Sequence, residues 1–178
     1  MEEIIKIRSV ADVKNGLVED RNDTSPNIDY VAWVLPIDST SRSPKDIIYW
    51  EKLICAEYIT TKYLGPTKAK GNLLVVDNIW NVIKYIQKGD IKVNKVVCPF
   101  FRGLDTKMTL LVARAIMELK MAGIGIEFVK DNIEFDANDD LATTTTKLLK
   151  HIGAYTSEAK QMIDNAKMME QRLKNELQ

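Results

Sequence analysis

The sequence predicts an α/β protein with a three-layer parallel sheet and a long C-terminal helix, and three observations support this fold class. Short apolar runs rich in β-branched residues alternate with longer stretches whose apolar residues recur at helical spacing. Proline and glycine lie at the ends of these stretches, where strands and helices usually end. A regular series of apolar residues then continues almost to the last residue.

Four short strands are predicted, each apolar and rich in β-branched or aromatic side chains. They comprise residues 29–36, 72–76, 92–99 and 124–129. Residues 1–28 are polar and slightly acidic, and we interpret them as an extension that contains a short strand or helix and is not part of the core.

Three helices connect these strands, from Ser43 to Gly65, from Asp77 to Gly89 and over residues 106–123. Ser43 is the expected N-cap of the first helix because Pro44 follows it at the first helical position. The apolar stripe of that helix contains one charged residue, Glu51. The second helix has an aspartate cap, Asp77, and ends at Gly89.

The C-terminal segment has a different pattern from the three preceding helices, since its apolar or small residues recur at alternating steps of four and three. These residues are Leu148, Ile152, Tyr155, Ala159, Met162, Ala166, Met169 and Leu173. Such a heptad seam predicts one coiled-coil helix, about 45 Å long at about 30 residues. A helix folded back on its own sheet is one interpretation, and an oligomerisation helix is the favoured one.

Three regions are therefore expected: an N-terminal extension (1–28), an α/β domain (29–140) and a long C-terminal helix (141–178). Acidic residues near position 140 predict a polar turn in which Asp140 caps that helix, and their spacing does not match a calcium loop. No glycine-rich phosphate loop is found, and we expect neither a metal nor a cofactor.

Charge and cysteine content restrict the function further. The 25 basic and 25 acidic residues cancel, whereas a protein that binds DNA unaided usually has a basic excess. Two cysteines give neither a disulfide framework nor a zinc site. The N-terminus lacks the basic start of a signal peptide and no apolar run is long enough for a membrane span, so a cytoplasmic protein without a membrane partner is expected.

Three segments carry a family resemblance. "WNVIKYIQKGDIKVNKVVCPFFRGL" is similar to a helix, a Gly-Asp turn and a strand that lead to an Asp-Arg-Leu-x-Arg motif. "AIMELKMAGIGIEFV" is similar to the next helix and strand, and the segment from "FDANDD" onward to a polar turn and a long dimerisation helix. In this order, over residues 29–175, the chain resembles the catalytic domain of the serine recombinases, the resolvase and invertase family.

The resemblance implies a resolvase-like fold and defines what catalysis would require. In that family a serine attacks a DNA phosphodiester, and several arginines stabilise the negative charge of the transition state. The family's Arg-x-Ser falls on Trp33-Val34-Leu35 or one residue later, and neither register supplies an arginine or a serine. Arg102 matches one arginine of the second motif, but Asp105 occupies the place of the other.

Few residues remain as candidates for recombinase chemistry. Catalysis would need a relocated serine hydroxyl in the loop after the first strand and cations to stabilise the transition state. The weak candidates for these roles are Ser39, Ser41, Arg42 and Arg102. The weak DNA-binding candidates are Lys68, Lys70 and Arg102. A solvated turn explains the serines better, because a moved nucleophile would still lack most of the cations.

These observations favour a catalytically inactive serine-recombinase-like protein. We expect it to form homo-oligomers through the C-terminal helix and to act as an accessory or regulatory factor, in DNA recombination or a mobile element, with DNA or an active recombinase as a further partner. One alternative is an active site-specific DNA recombinase with a relocated serine. Another is an α/β module that binds a small molecule or a protein at the carboxyl ends of the strands.

Overall fold

Six strands form one mostly parallel sheet in the computed structural model of the chain, which describes residues 2–7, 28–35, 44–64, 71–101 and 106–176. The strands are β1 (Glu2–Ile7), β2 (Tyr30–Trp33), β3 (Gly71–Val76), β4 (Lys95–Cys98), β5 (Gly125–Phe128) and β6 (Ile133–Phe135). Their order is β1-β3-β2-β4-β5-β6. The four central strands are parallel, and β1 and β6 add antiparallel edges.

Five helices lie in the described residues: α1 (Pro44–Ile59), α2 (Ile79–Lys88), α3 (Thr106–Met121), α4 (Leu141–His151) and α5 (Ser157–Glu176). A π-helical turn, Thr60–Leu64, continues α1. The α/β class and the predicted order of strands and helices through β5 are therefore confirmed. The strand β6 was not predicted. The extension predicted over residues 1–28 contributes β1, which pairs with β3.

The chain divides into two compact units, Met1–Ala137 and Asn138–Gln178. The first unit holds the sheet with α1, α2 and α3, and the second holds α4 and α5. In the first unit, α1 covers one face of the sheet, where Cys55, Ala56 and Ile59 pack in a buried cluster with Ala32 and Val97. Consecutive residues of β2 point to opposite faces and all are buried except the partly exposed first one, so both faces are covered.

The helix ends follow local capping chemistry, with one difference from the prediction. The side chain of Asn78, and not that of Asp77, accepts the hydrogen bond from the N–H of Trp80 and caps α2. Gly89 ends α2 with a φ of 78°, as predicted. Asp140 caps α4 and accepts a bond from the N–H of Thr143 at 2.6 Å, also as predicted.

The C-terminal segment forms two helices where the sequence predicted one. Gly153 has a φ of 71°, and the N–H of Ala154 returns to the carbonyl of Leu149 at 2.8 Å, which closes α4. The hydroxyl of Thr156 then accepts the N–H of Ala159 and caps α5. The prediction of a continuous helix was wrong because the heptad spacing continues across this turn and conceals it.

Candidate functional site

The carboxyl end of β2 is the first candidate region. The chain moves from β2 to β3 on one side of the sheet and then to β4 on the other, and ligands of open α/β sheets bind outside the strand ends at such a reversal. Val34 and Leu35 follow β2 and are buried. Glu51, one of the few buried charged residues in the described part of the chain, reaches this strand end from α1.

Glu51 is bound on one carboxylate oxygen and not on the other. Its Oε2 accepts the backbone N–H of Leu35 at 2.6 Å. Its Oε1 is buried and has no hydrogen-bond partner among the described residues. Burial raises the pKa of Glu51 to about 7, against the opposing effect of the bond from Leu35. A carboxyl in this setting can exchange a proton near neutral pH.

Both cysteines of the chain are buried in the same unit as Glu51. Burial is the main cause that raises the pKa of the Cys55 thiol, and the charge of Glu51 is a smaller cause. Burial is also the main cause that raises the pKa of the Cys98 thiol, and the charges of Cys55 and Glu51 contribute less. Because a thiolate is the reactive form of cysteine, these two thiols are poor nucleophiles.

The structure locates part of the positions that the resemblance to serine recombinases singled out. Trp33, Val34 and Leu35, onto which that resemblance places the family's Arg-x-Ser, form the last residues of β2 and its continuation and are buried. The candidates Ser39, Ser41, Arg42, Lys68, Lys70 and Arg102 lie outside the described residues, as do Pro36, Ser43 and Asp105.

A second cluster surrounds Glu127 of β5, on the sheet face that α1 covers. Val97 of β4 lies opposite Glu127 in the sheet and belongs to the core cluster under α1. One oxygen of Glu127 accepts the hydroxyl of Tyr63 and, at 2.9 Å, the ammonium of Lys95. The other accepts Tyr58 at 2.6 Å and Lys62 at 2.9 Å.

These four donors hold Glu127 as a buried anion. Burial raises the pKa of Glu127, but the hydrogen bonds from Tyr58, Tyr63, Lys95 and Lys62 outweigh it and lower that pKa to about 2. The π turn brings Lys62 and Tyr63 onto the same side as Tyr58, four and five residues along the chain. Since each oxygen already accepts two hydrogen bonds, the carboxylate is saturated, and this cluster joins α1 to β4 and β5.

The second unit presents an apolar groove between α4 and α5, with a volume of about 510 Å³. We define the α5 stripe as Met162, Ala166, Met169 and Leu173, which line this groove with Leu141, Ala142 and Thr145 of α4. The exposed fractions are 73% for Met162, 67% for Met169, 60% for Leu173 and 54% for Leu141. No residue of α5 is buried.

The predicted oligomerisation residues are thus separated by the turn between α4 and α5. Leu148 lies on α4 and is buried, while Ile152 and Tyr155 lie in the turn and are half-buried. Ala159 and the α5 stripe share one helix. The structure retains the apolar repeat on α5 alone.

Within the described residues, no group of three or more His, Cys, Asp or Glu side chains is arranged to hold a metal ion. Of the described helices, none combines the length and apolar character required to span a membrane. Comparisons with protein-family models, curated proteins and solved structures found no match.

Sequence reasoning missed the chemistry of Glu51 and Glu127. Glu51 did leave a signal, since it interrupts an apolar helical stripe, and a charged residue in that position must be paired or neutralised. Glu127 interrupts an apolar strand in the same way. Its four donors come from two other parts of the chain, so only the folded structure identifies them.

Proposed function

We propose that this protein is a non-catalytic relative of the serine recombinases that acts by self-association, as an accessory or regulatory factor. The observation that carries the proposal is the exposed α5 stripe on a helix with no buried residue. Helices in proteins gain most of their stability from packing an amphipathic face. A 20-residue helix that leaves this face in water is therefore an interaction element.

The energy available from such an interaction is substantial. Burying a Met or Leu side chain contributes about 1.5–3 kcal/mol, and α5 offers two methionines and a leucine on one stripe. The association entropy opposes this gain with about 4–15 kcal/mol, so both copies must contribute their stripes. In a symmetric contact the same stripe is buried on both copies, so the apolar area that is buried is twice that of one stripe.

The end of β2 supports the absence of recombinase catalysis. Leu35 is buried and cannot attack phosphorus, and its N–H donates a hydrogen bond to the carboxyl of Glu51, which would repel a phosphodiester when ionised. An active recombinase with a relocated serine predicts a covalent protein–DNA adduct on supercoiled DNA. We expect no adduct, and its detection would contradict the non-catalytic part of the proposal.

Self-association is tested by sedimentation of the full chain over a wide concentration range. We expect oligomers in the wild type and monomers in the double variant Met162→Glu/Met169→Glu, because each interface would then bury four carboxylates. The matched control is Gln161→Glu/Gln171→Glu, which adds the same charge to exposed positions of α5 outside the stripe.

A wild-type chain that stays monomeric throughout would contradict the proposal. Equal association of the two double variants would contradict the role of the α5 stripe. Circular dichroism of both variants shows whether the helices are retained.

Glu51 favours a second candidate function, a module that binds a small molecule with a hydrogen-bond donor or positive charge at the carboxyl end of β2. Its buried Oε1 lacks a partner among the described residues, and a ligand donor would satisfy it. Native mass spectrometry of freshly purified protein tests this candidate. Additional mass that is lost in Glu51→Gln would support it, and identical bare masses would contradict it.

A further inference from the structure

We propose that two copies of this chain associate with their α5 helices antiparallel, each α5 lying in the groove between α4 and α5 of the other copy. This inference rests on the proposed self-association and adds the orientation and register of the contact. It follows from the shape of the groove, the sizes of the stripe residues and the charges beside them.

The lining of the groove suits an amphipathic helix as its occupant. Leu141 and Ala142 of α4 form one wall, and the α5 stripe forms the other. Lys167 and Glu170 are the charged residues among those that line it, and they have opposite signs. An occupant with a strong net charge would gain little here, whereas a neutral amphipathic helix fits.

The α5 helix itself has these properties. Residues Ser157–Glu176 contain four basic and four acidic side chains, so two copies do not repel each other through net charge. Their apolar residues are also complementary when the helices run in opposite directions. Met162 then lies opposite the partner's Leu173, and Ala166 lies opposite the partner's Met169.

Side-chain size favours this direction over the parallel one. An antiparallel pair places the small Ala166 against a long methionine in two symmetric layers, which fills the space between the helices. A parallel pair places Ala166 against the partner's Ala166 and leaves a cavity, while methionines crowd in the next layer.

The flanking residues are compatible with the same register. Beside the stripe, Glu170 faces the partner's Ile163, and Arg172 faces the partner's Asn165. No pair of like charges is opposed at these positions, so electrostatics does not disfavour the contact. The chain turns at Gly153, which separates the two helices that line the groove.

Cysteine cross-linking in the full chain tests the orientation. Ala166→Cys and Met169→Cys are purified separately, mixed, allowed to exchange subunits and treated with a mild oxidant. The native Cys55 and Cys98 are buried and do not compete. We expect the mixture to form at least about five times more disulfide dimer than either variant alone, because the antiparallel register brings these two positions together. Gln171→Cys is the control on the opposite side of α5.

Each result decides between distinct conclusions. A dimer in which Ala166→Cys alone cross-links efficiently would overturn the antiparallel arrangement and leave self-association in place. A dimer that cross-links no better than Gln171→Cys in every combination would overturn α5 as the interface. A chain that sediments as a monomer would overturn the proposed function together with this inference.

Discussion

The buried carboxyl of Glu51 makes the free energy of unfolding depend on pH. Its folded-state pKa of about 7 lies above the ordinary value of 4.5, so the folded protein favours the protonated form. The stability that depends on this proton is fully present below pH 4.5 and decreases as the pH rises to about 7. Above that pH the fold holds an ionised buried carboxylate.

Glu51→Gln should therefore stabilise the protein at alkaline pH. The amide resembles the protonated acid and can still accept the N–H of Leu35. We expect the free energy of unfolding to rise by up to about 3 kcal/mol at pH 8 and to change little at pH 4. Urea denaturation at both pH values, followed by tryptophan fluorescence, to which the buried Trp33 contributes, measures this difference. Equal shifts at the two pH values would contradict the pKa assignment.

Glu127 has the opposite character, since the fold requires its charged form. Its stabilising contribution is present above pH 4.5 and is lost as the pH falls towards 2. Glu127→Gln leaves Lys62 and the half-buried Lys95 without this anion, so we expect a loss of about 3 kcal/mol at pH 7.

The neighbouring Glu134 provides the control for this prediction. It binds Lys95 at 2.6 Å but is 43% exposed in its side chain, so Glu134→Gln should cost less than about 1 kcal/mol. Thermal unfolding at pH 7 compares the two variants. A similar cost for both would show that burial does not govern the energy of the cluster.

At the scale of secondary-structure elements, a local signal identified one helix end, whereas a periodic pattern concealed another. Gly89, Gly123 and Gly153 all have positive φ and follow the ends of α2, α3 and α4. The sequence identified Gly89 as a helix stop from its local context. It did not identify Gly153, because the heptad repeat on both sides of that residue favours one continuous helix.

Gly153→Ala distinguishes the two interpretations of the C-terminal segment. Space is not limiting, since an added Cβ meets nothing within 4 Å. The positive φ should cost about 1 kcal/mol, while Gly153→Asn should be tolerated better. Urea denaturation measures the cost and circular dichroism the helix content. A gain in helix content in Gly153→Ala would instead show that the segment can form one long helix.

The elements that the sequence did not yield lack a local pattern of their own. The strand β6 has three residues, too few to show an alternating pattern, and is defined by its antiparallel pairing with the neighbouring β5. The Glu127 cluster needs α1, the π turn and β4 at the same time. The α5 stripe, by contrast, was predicted from spacing alone, since helical periodicity is a property of the helix itself.

For the whole molecule, the proposed self-association would make thermal stability a function of concentration. If the folded chain dimerises through α5, mass action favours the folded state more strongly at higher concentration. We expect the unfolding midpoint of the wild type to rise by several degrees over a hundredfold increase in concentration. Scanning calorimetry should find no such rise in Met162→Glu/Met169→Glu. A concentration-independent midpoint in the wild type would contradict association in the folded state.

The π turn at the end of α1 has a consequence for how this chain can change in length. Its wider turn holds one residue more than an α-helical turn, and this brings Tyr58, Lys62 and Tyr63 to the same carboxylate. Deleting one residue there would restore ordinary helical winding, and it would rotate everything beyond it by about 100°. Related chains that keep a glutamate at the position of Glu127 should therefore carry no insertions or deletions within the turn itself.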